Sequence, residues 1–160
     1  MTTDQQEEQA WVDTLRIRAD LLITGGRTLR GDLHLQPMVS SHTGPETVED
    51  VLARDEAFMP LTGLDGRVLL IAKAQVLAVG VLPSAEPQDP SRLSAARFHH
   101  LKVELSDNTV YSGTVPSELP SDRPRTLDLL NQRPGFIQLR TADVVRYLNR
   151  AHVRVVTPLD

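Results

Sequence analysis

The sequence predicts an α+β chain, mainly β, built as two tandem related small barrel-like units of about five short strands and one helix each. Three observations carry that expectation. Short runs of alternating apolar and polar residues recur along the chain, the signature of half-buried strands. Similar segments reappear in the same order in the two halves. The composition, 40% hydrophobic and 24% charged over 160 residues, is that of a globular chain with room for one ordinary domain or two very small ones.

The related segments set the expected organisation. Thr47 to Leu61 can be laid beside Thr126 to Leu139 once Glu49 is skipped, with Thr, Asp, Leu, Phe and a final Leu in common. Ile71 to Val79 matches Leu148 to Val156, and Thr28 to Leu33 matches Val110 to Val115. Leu15-Arg-Ile is laid beside Leu101-Lys-Val. The boundaries that follow are a first unit over 12–82, a linker over 83–97 with room for a short helix, and a second unit over 98–158. The two units either stand apart or share one compact pseudo-twofold core.

In the first unit, strands are expected over Leu15 to Ile23 and Leu29 to Leu35, joined by Gly25-Gly26. A helix near Glu46 to Arg54 follows, then strands near Met59 to Thr62, Arg67 to Ala72 and Val76 to Val81. The segment from Pro83 to Pro90 holds three prolines among polar residues and reads as the linker. Short helices are expected at Asp4 to Trp11 and Ser91 to Ala96.

In the second unit, Leu101, Val103 and Leu105 alternate with Lys102 and Glu104, and Ser106-Asp-Asn108 turns the chain. Val110 to Val115 returns as a strand carrying Gly113, and Pro116, Pro120 and Pro124 end it because proline has no N–H to give a ladder. Thr126 is placed to cap a helix containing Leu127, Leu129 and Leu130, stopped by Pro134-Gly135. Strands at Phe136 to Arg140, Val144 to Leu148 and Val153 to Val156 complete the unit. Phe58 and Phe136 each follow the helix and open a strand, so both side chains are expected in the core.

Two places in each unit resemble the Sm-like barrel family. One is a strand pair with a turn and then Gly, in Asn108-Thr-Val-Tyr-Ser-Gly113 and Gly26-Arg-Thr-Leu-Arg-Gly31. The other is the closing pair, Leu148-Asn-Arg-Ala-His-Val153 and Ile71-Ala-Lys-Ala-Gln-Val76. The resemblance implies a small β-barrel and RNA binding. Ala151 and Ala74 stand where that family has Gly, and a loop and helix replace the Asp and Asn that would hold a base. The chain is also similar to a bacterial domain family of unknown function with a short G-x-L, L-x-D-x-L and N-R-x-H pattern, which implies no activity.

Composition narrows the function classes. There are 17 Lys and Arg against 21 Asp and Glu, a net charge of −4, where a nucleic-acid coat is normally basic. Six aromatic residues leave little for base stacking. The chain has no cysteine, which excludes disulfides, thiolate metal sites and a Cys nucleophile. MTTDQQEEQA lacks the basic start and apolar core of a secretory signal, and Val68 to Leu82 is interrupted by Lys73 and Gln75. The expectation is a cytoplasmic, bacterial-type protein with no membrane association.

No residue pattern carries catalysis. His34, His42, His99, His100 and His152 show no metal-binding spacing, and His99 and His100, adjacent on a strand, point to opposite faces. Solvated or capping roles are expected for them. Neither Ser40-Ser41 nor Ser112 lies in a G-x-S-x-G elbow, and no phosphate-cradling glycine motif occurs. Asp50 and Asp128 recur in the first turn of each helix, where a carboxylate favours the helix dipole. Catalytic, cofactor-binding and metal-ligating residues are therefore expected to be none.

Charge is unevenly spread. Residues 1–80 carry 7 basic and 12 acidic side chains, whereas Gln132 to Asp160 has five Arg against two Asp. Arg140, Arg146, Arg150 and Arg154 form the candidate partner-binding patch. The expected function is a non-enzymatic protein-binding or assembly module, with a protein partner, no cofactor and room for oligomerisation. An RNA-binding Sm-like protein and an enzyme with a site between the two units are the alternatives.

Overall fold

The structure is a computed structural model and describes residues 15–37, 44–85, 97–117, 126–132 and 135–159. The expected short helices at 4–11 and 91–96, His42 and Ser40-Ser41 lie outside the described residues, as does most of the linker.

The first half runs β1 (Leu15–Ile23), β2 (Arg27–Leu35), α1 (Val48–Ala53), β3 (Phe58–Gly63), β4 (Val68–Ala72), a 3-10 turn at Lys73–Gln75, and β5 (Val76–Val81). After a 3-10 turn at Pro83–Ala85, the second half runs β6 (Arg97–Leu105), β7 (Val110–Ser117), α2 (Thr126–Gln132), β8 (Phe136–Arg140), β9 (Val145–Asn149), a 3-10 turn at Arg150–His152, and β10 (Val153–Pro158). All ten strands join one antiparallel sheet in the order β10-β6-β7-β8-β9-β5-β1-β2-β3-β4.

This corrects the expected fold class. The protein is a mainly β, open antiparallel sheet with two short helices, not an α+β pair of barrel-like units. A barrel would need the fourth and fifth strands of one half to pair, but β4 and β5 stand at the two ends of their half. A flat five-strand sheet would hold those ends about 19 Å apart at ~4.8 Å per strand. The turn joining them has only three residues, Lys73–Gln75, so the half curls without closing. The N–H and C=O groups of β5 are met instead by β1 and by β9 of the other half.

Local chemistry explains the elements. Gly25 and Gly26, with φ of 83° and 74°, supply the left-handed backbone that the tight β1–β2 connection demands. Along this hairpin, Arg18 meets Asp32 at 2.8 Å and Arg30 meets Asp20 at 2.7 Å across the exposed face. Thr47 caps α1 in a reciprocal box, its Oγ1 accepting from Asp50 N–H while Asp50 accepts from Thr47 N–H. Thr126 is the first residue of α2 rather than its cap. Asp50 and Asp128 lie in the first turn of their helices, as expected.

Two apolar clusters cover the sheet, and each draws on both halves. The first packs Leu21, Leu33, Val48, Leu61 and Val79 with Val145 and Tyr147 of β9. The second packs Leu101, Val103, Leu105, Leu139 and Leu148 with Leu77 and Ala78 of β5. Leu77 is the extra residue of a bulge in the β1–β5 ladder, which lets adjacent Leu77 and Ala78 enter the same cluster. In the β6–β10 ladder, Arg154 occupies the corresponding bulge.

Close backbone approach sets the glycine in each second strand. A Cβ on Gly31 would lie 2.4 Å from the Thr62 carbonyl oxygen, and one on Gly113 2.6 Å from that of Arg140. Gly31 pairs with Ala19 and Gly113 with Leu101, so Ala19, not Leu15, is the positional counterpart of Leu101. The phenylalanine expectation also needs correction. Phe58 is 60% exposed because Met59, next along β3, takes the inward side, while Phe136 is half-buried and packs against the first cluster.

Candidate functional site

The two outermost strands, β4 and β10, have no second neighbour among the described residues. The β4 edge is built by a tight turn in which Gly63 N–H donates to Arg67 C=O at 2.8 Å and Asp65 Oδ1 accepts from Arg67 N–H at 3.0 Å. At the other end, Lys73 N–H donates to Ala57 C=O at 2.9 Å. These bonds set the phase of the β3–β4 ladder: Leu69 and Ile71 bond to β3, while Val68 and Leu70 turn their N–H and C=O outward. The side chains of Val68, Leu69 and Leu70 are all exposed, Leu70 by 65%. Three successive exposed aliphatics on an open edge are a strong pairing surface.

Beside this edge lies a cleft of about 280 Å³ lined by Ile23, Arg27, Leu29, Leu69, Ile71 and Gln75 among others. Thr24 Oγ1 donates to Gln75 Oε1 at 2.8 Å, which holds the glutamine at the cleft. The matching positions of the second half are Leu105, Thr109, Tyr111, Arg146, Leu148 and His152. Of these, Leu105, Tyr111 and Leu148 pack in one apolar cluster with Leu77 and Ala78 of β5.

These residues belong to the junction of β5 with β9, where the two halves meet. Strand β5 pairs with β9 in the register Ala78–Leu148, Val79–Tyr147, Gly80–Arg146 and Val81–Val145. Asn149 Nδ2 donates to Val76 C=O at 2.9 Å and to Lys73 C=O at 3.4 Å, while His152 Nε2 donates to Ala74 C=O at 2.7 Å. The Arg146 guanidinium lies 4.3 Å from the Tyr111 ring centroid. Burial raises the Tyr111 phenol above its ordinary value, and the charge of Arg146 opposes that shift. The junction thus combines a backbone ladder, apolar filling and side-chain bonds to backbone.

The four arginines of the expected patch are not brought onto one face. Arg140 pairs opposite Val145 and Arg146 opposite Leu139, so alternation sends Arg140 and Arg146 to opposite sides of the sheet. Arg140 Nη2 and Nε lie 2.8 and 3.1 Å from the Gln138 side-chain amide, whose oxygen accepts from both when the amide is turned over. Arg150 opens the 3-10 turn, where its N–H donates to Gly135 C=O at 2.9 Å. Arg154 bonds Glu104 Oε1 at 2.8 Å and also Asn108 Oδ1. Strands β9 and β10 are separated in the sheet by β6, β7 and β8, which also keeps Arg146 and Arg154 apart.

The remaining polar groups hold structure. Glu46, 3% exposed, accepts from Arg54 Nε at 2.7 Å and from Gln36 N–H at 3.1 Å. Lys73 donates from Nζ to Arg54 C=O at 3.0 Å. Burial pulls the Lys73 ammonium below its ordinary value, with nearby Glu56 opposing the shift. His34 is buried against Thr62 at 2.7 Å rather than solvated. Among the described residues, no three His, Asp or Glu side chains are grouped to hold a metal ion, and no helix is long and apolar enough to cross a membrane.

Sequence reasoning missed the β4 edge. Its signal was present in Val68-Leu-Leu-Ile-Ala, a run without alternation, which marks a strand apolar on both sides. Comparison with family models, curated proteins and solved structures finds no match for this chain.

Proposed function

We propose that the protein is a non-enzymatic protein-binding and assembly module that takes a partner by adding a strand to the open edge of its sheet. The observation that carries this reading is the exposed run Val68–Leu70, set beside a cleft whose counterpart residues pack against another strand. Edge addition draws affinity from main-chain hydrogen bonds and selectivity from alternate side chains entering pockets. The cleft beside Leu69 and Ile71 supplies such a pocket. The similar order of elements in the two halves supports an origin by internal duplication, in which a contact once made between chains became the β5–β9 junction.

The test is affinity purification of the tagged full chain from its native cell, compared with Leu70→Lys. The wild-type chain is expected to retain a stoichiometric protein partner, a second copy of itself included, that the variant loses. Equal recovery by both chains would refute edge addition at β4.

A further inference from the structure

We propose that the cleft beside β4 captures the carboxyl terminus of a partner protein, with its last aliphatic side chain in the cleft and its terminal carboxylate on Arg27. The inference rests on the edge-binding reading above and names the part of the partner that is bound. It is carried by the chemistry of the cleft, which is apolar along its walls and offers N–H donors at one end. The walls are Ile23, Leu29, Leu69 and Ile71, and the polar end is Arg27 and Gln75.

Strand register puts the two polar groups together. Ile23 lies opposite Arg27 on one side and opposite Val76, the residue after Gln75, on the other. Thr24 N–H donates to Gln75 C=O at 2.9 Å, and Thr24 Oγ1 donates to Gln75 Oε1 at 2.8 Å. The amide is thereby fixed by its oxygen, with its Nε2 group left to donate. Among the described residues, neither Gln75 Nε2 nor the exposed Arg27 guanidinium has a hydrogen-bond or ion-pair partner. Arg18, Arg30, Arg54, Arg67 and Arg154, by contrast, each meet a carboxylate. A cation and an amide donor at the end of an apolar cleft complement an anion carried on an apolar body. The guanidinium fork suits a carboxylate, which it holds through two parallel bonds.

Size and surroundings decide what carries that carboxylate. At about 280 Å³ the cleft lies just under the range of pockets for drug-sized ligands, room for an aliphatic side chain and not for a long acyl chain. Leu70, whose N–H and C=O point away from the sheet, lines the same space. A peptide meets those groups with its own backbone while its last side chain turns into the cleft, and a lipid has no backbone to meet them. The other half shows that the charge is particular to this cleft. There the position of Arg27 is taken by Thr109 and that of Gln75 by His152, which donates to Ala74 C=O at 2.7 Å. The nearby cation of that half, Arg146, lies over the Tyr111 ring. A strand within the sheet presents carbonyl oxygens and needs only a neutral donor, whereas a chain end presents a full negative charge.

The experiment titrates the full chain into fluorescein-labelled octapeptides of alternating Thr and Val, read by fluorescence polarisation at low salt. The last residue is Ala, Val, Leu, Ile or Phe, and each peptide is made as the free acid and as the C-terminal amide. At least one free acid is expected to bind, about fivefold or more tightly than its amide. Arg27→Gln should bring the free acid to the affinity of the amide, with amide binding and the melting curve unchanged. Arg27→Lys should restore part of the preference, since it returns the charge without the fork. Binding by none of the free acids, equal affinity for acid and amide, or an acid preference that survives Arg27→Gln would overturn the proposal. Octanoate displacing the peptide at the peptide's own concentration would also overturn it, assigning the cleft to free aliphatic acids. A cellular partner lost with Leu70→Lys but retained by Arg27→Gln would sink this inference and leave edge addition standing. A partner retained by both variants would sink both readings.

Discussion

Tyr147 of β9 lies directly opposite Val79 of β5, and both are buried to 1% exposure or less. The pair sits where the two halves of the sheet meet, and Tyr147 completes a core made mostly by the other half. The halves are therefore coupled by packing as well as by backbone hydrogen bonds.

That coupling predicts the effect of truncation. Tyr147→Ala should cost about 3–5 kcal/mol, the range for deleting a buried aromatic ring. Phe58→Ser, at an exposed position, should change stability by no more than about 0.5 kcal/mol. Urea unfolding of both variants measures the contrast, and a larger loss at Phe58 than at Tyr147 would contradict the core assignment.

The two close backbone approaches predict a matched pair of effects. Gly31→Ala and Gly113→Ala each drive a Cβ against a carbonyl oxygen of the neighbouring strand. Each should lower stability by about 1–3 kcal/mol through displacement of β3 or β8. An unchanged unfolding midpoint for either variant would show that the strands yield freely there.

Lys73 predicts a pH dependence. Burial lowers its folded value below the ordinary 10.5, so between the two values the unfolded chain binds more protons than the folded one. Stability from this group therefore rises as pH climbs through the folded value toward 10.5, and is lost as pH falls back through the folded value. Lys73→Met should remove that contribution and flatten the alkaline limb in urea titrations at stepped pH. Parallel limbs for the two chains would refute it.

Nucleic acid supplies a further check. A net charge of −4 and arginines engaged by Glu104, Gln138 and Tyr111 predict no RNA association that survives physiological salt. Residual binding at low salt should fall with a log–log slope of about 0.7 per phosphate contact. Fluorescence titration with mixed and uridine-rich RNA is the measurement. Tight, salt-resistant binding lost on Arg150→Ala would establish the RNA alternative.

Strand identity was legible in the sequence wherever one face is buried. Alternation in Leu101, Val103 and Leu105, the Gly25-Gly26 turn and the Thr47–Asp50 box are local signals, each set by residues within a few positions of one another. The first short helix was placed by its Thr47 cap for the same reason. What alternation does not contain is which strand lies beside which. Whether β5 pairs with β4 or with β9 depends on edges more than sixty residues apart, and only the folded sheet decides it. The arginines illustrate the same limit: four basic residues close in sequence fall on different faces because strand alternation and strand order, not spacing, distribute them. Phe58 is exposed because Met59 holds the inward position of β3, and Val68–Leu70 becomes an open edge because β3 is its only neighbour among the described residues. Local pattern set the elements of this protein, and long-range pairing set the open edges on which its proposed assembly rests.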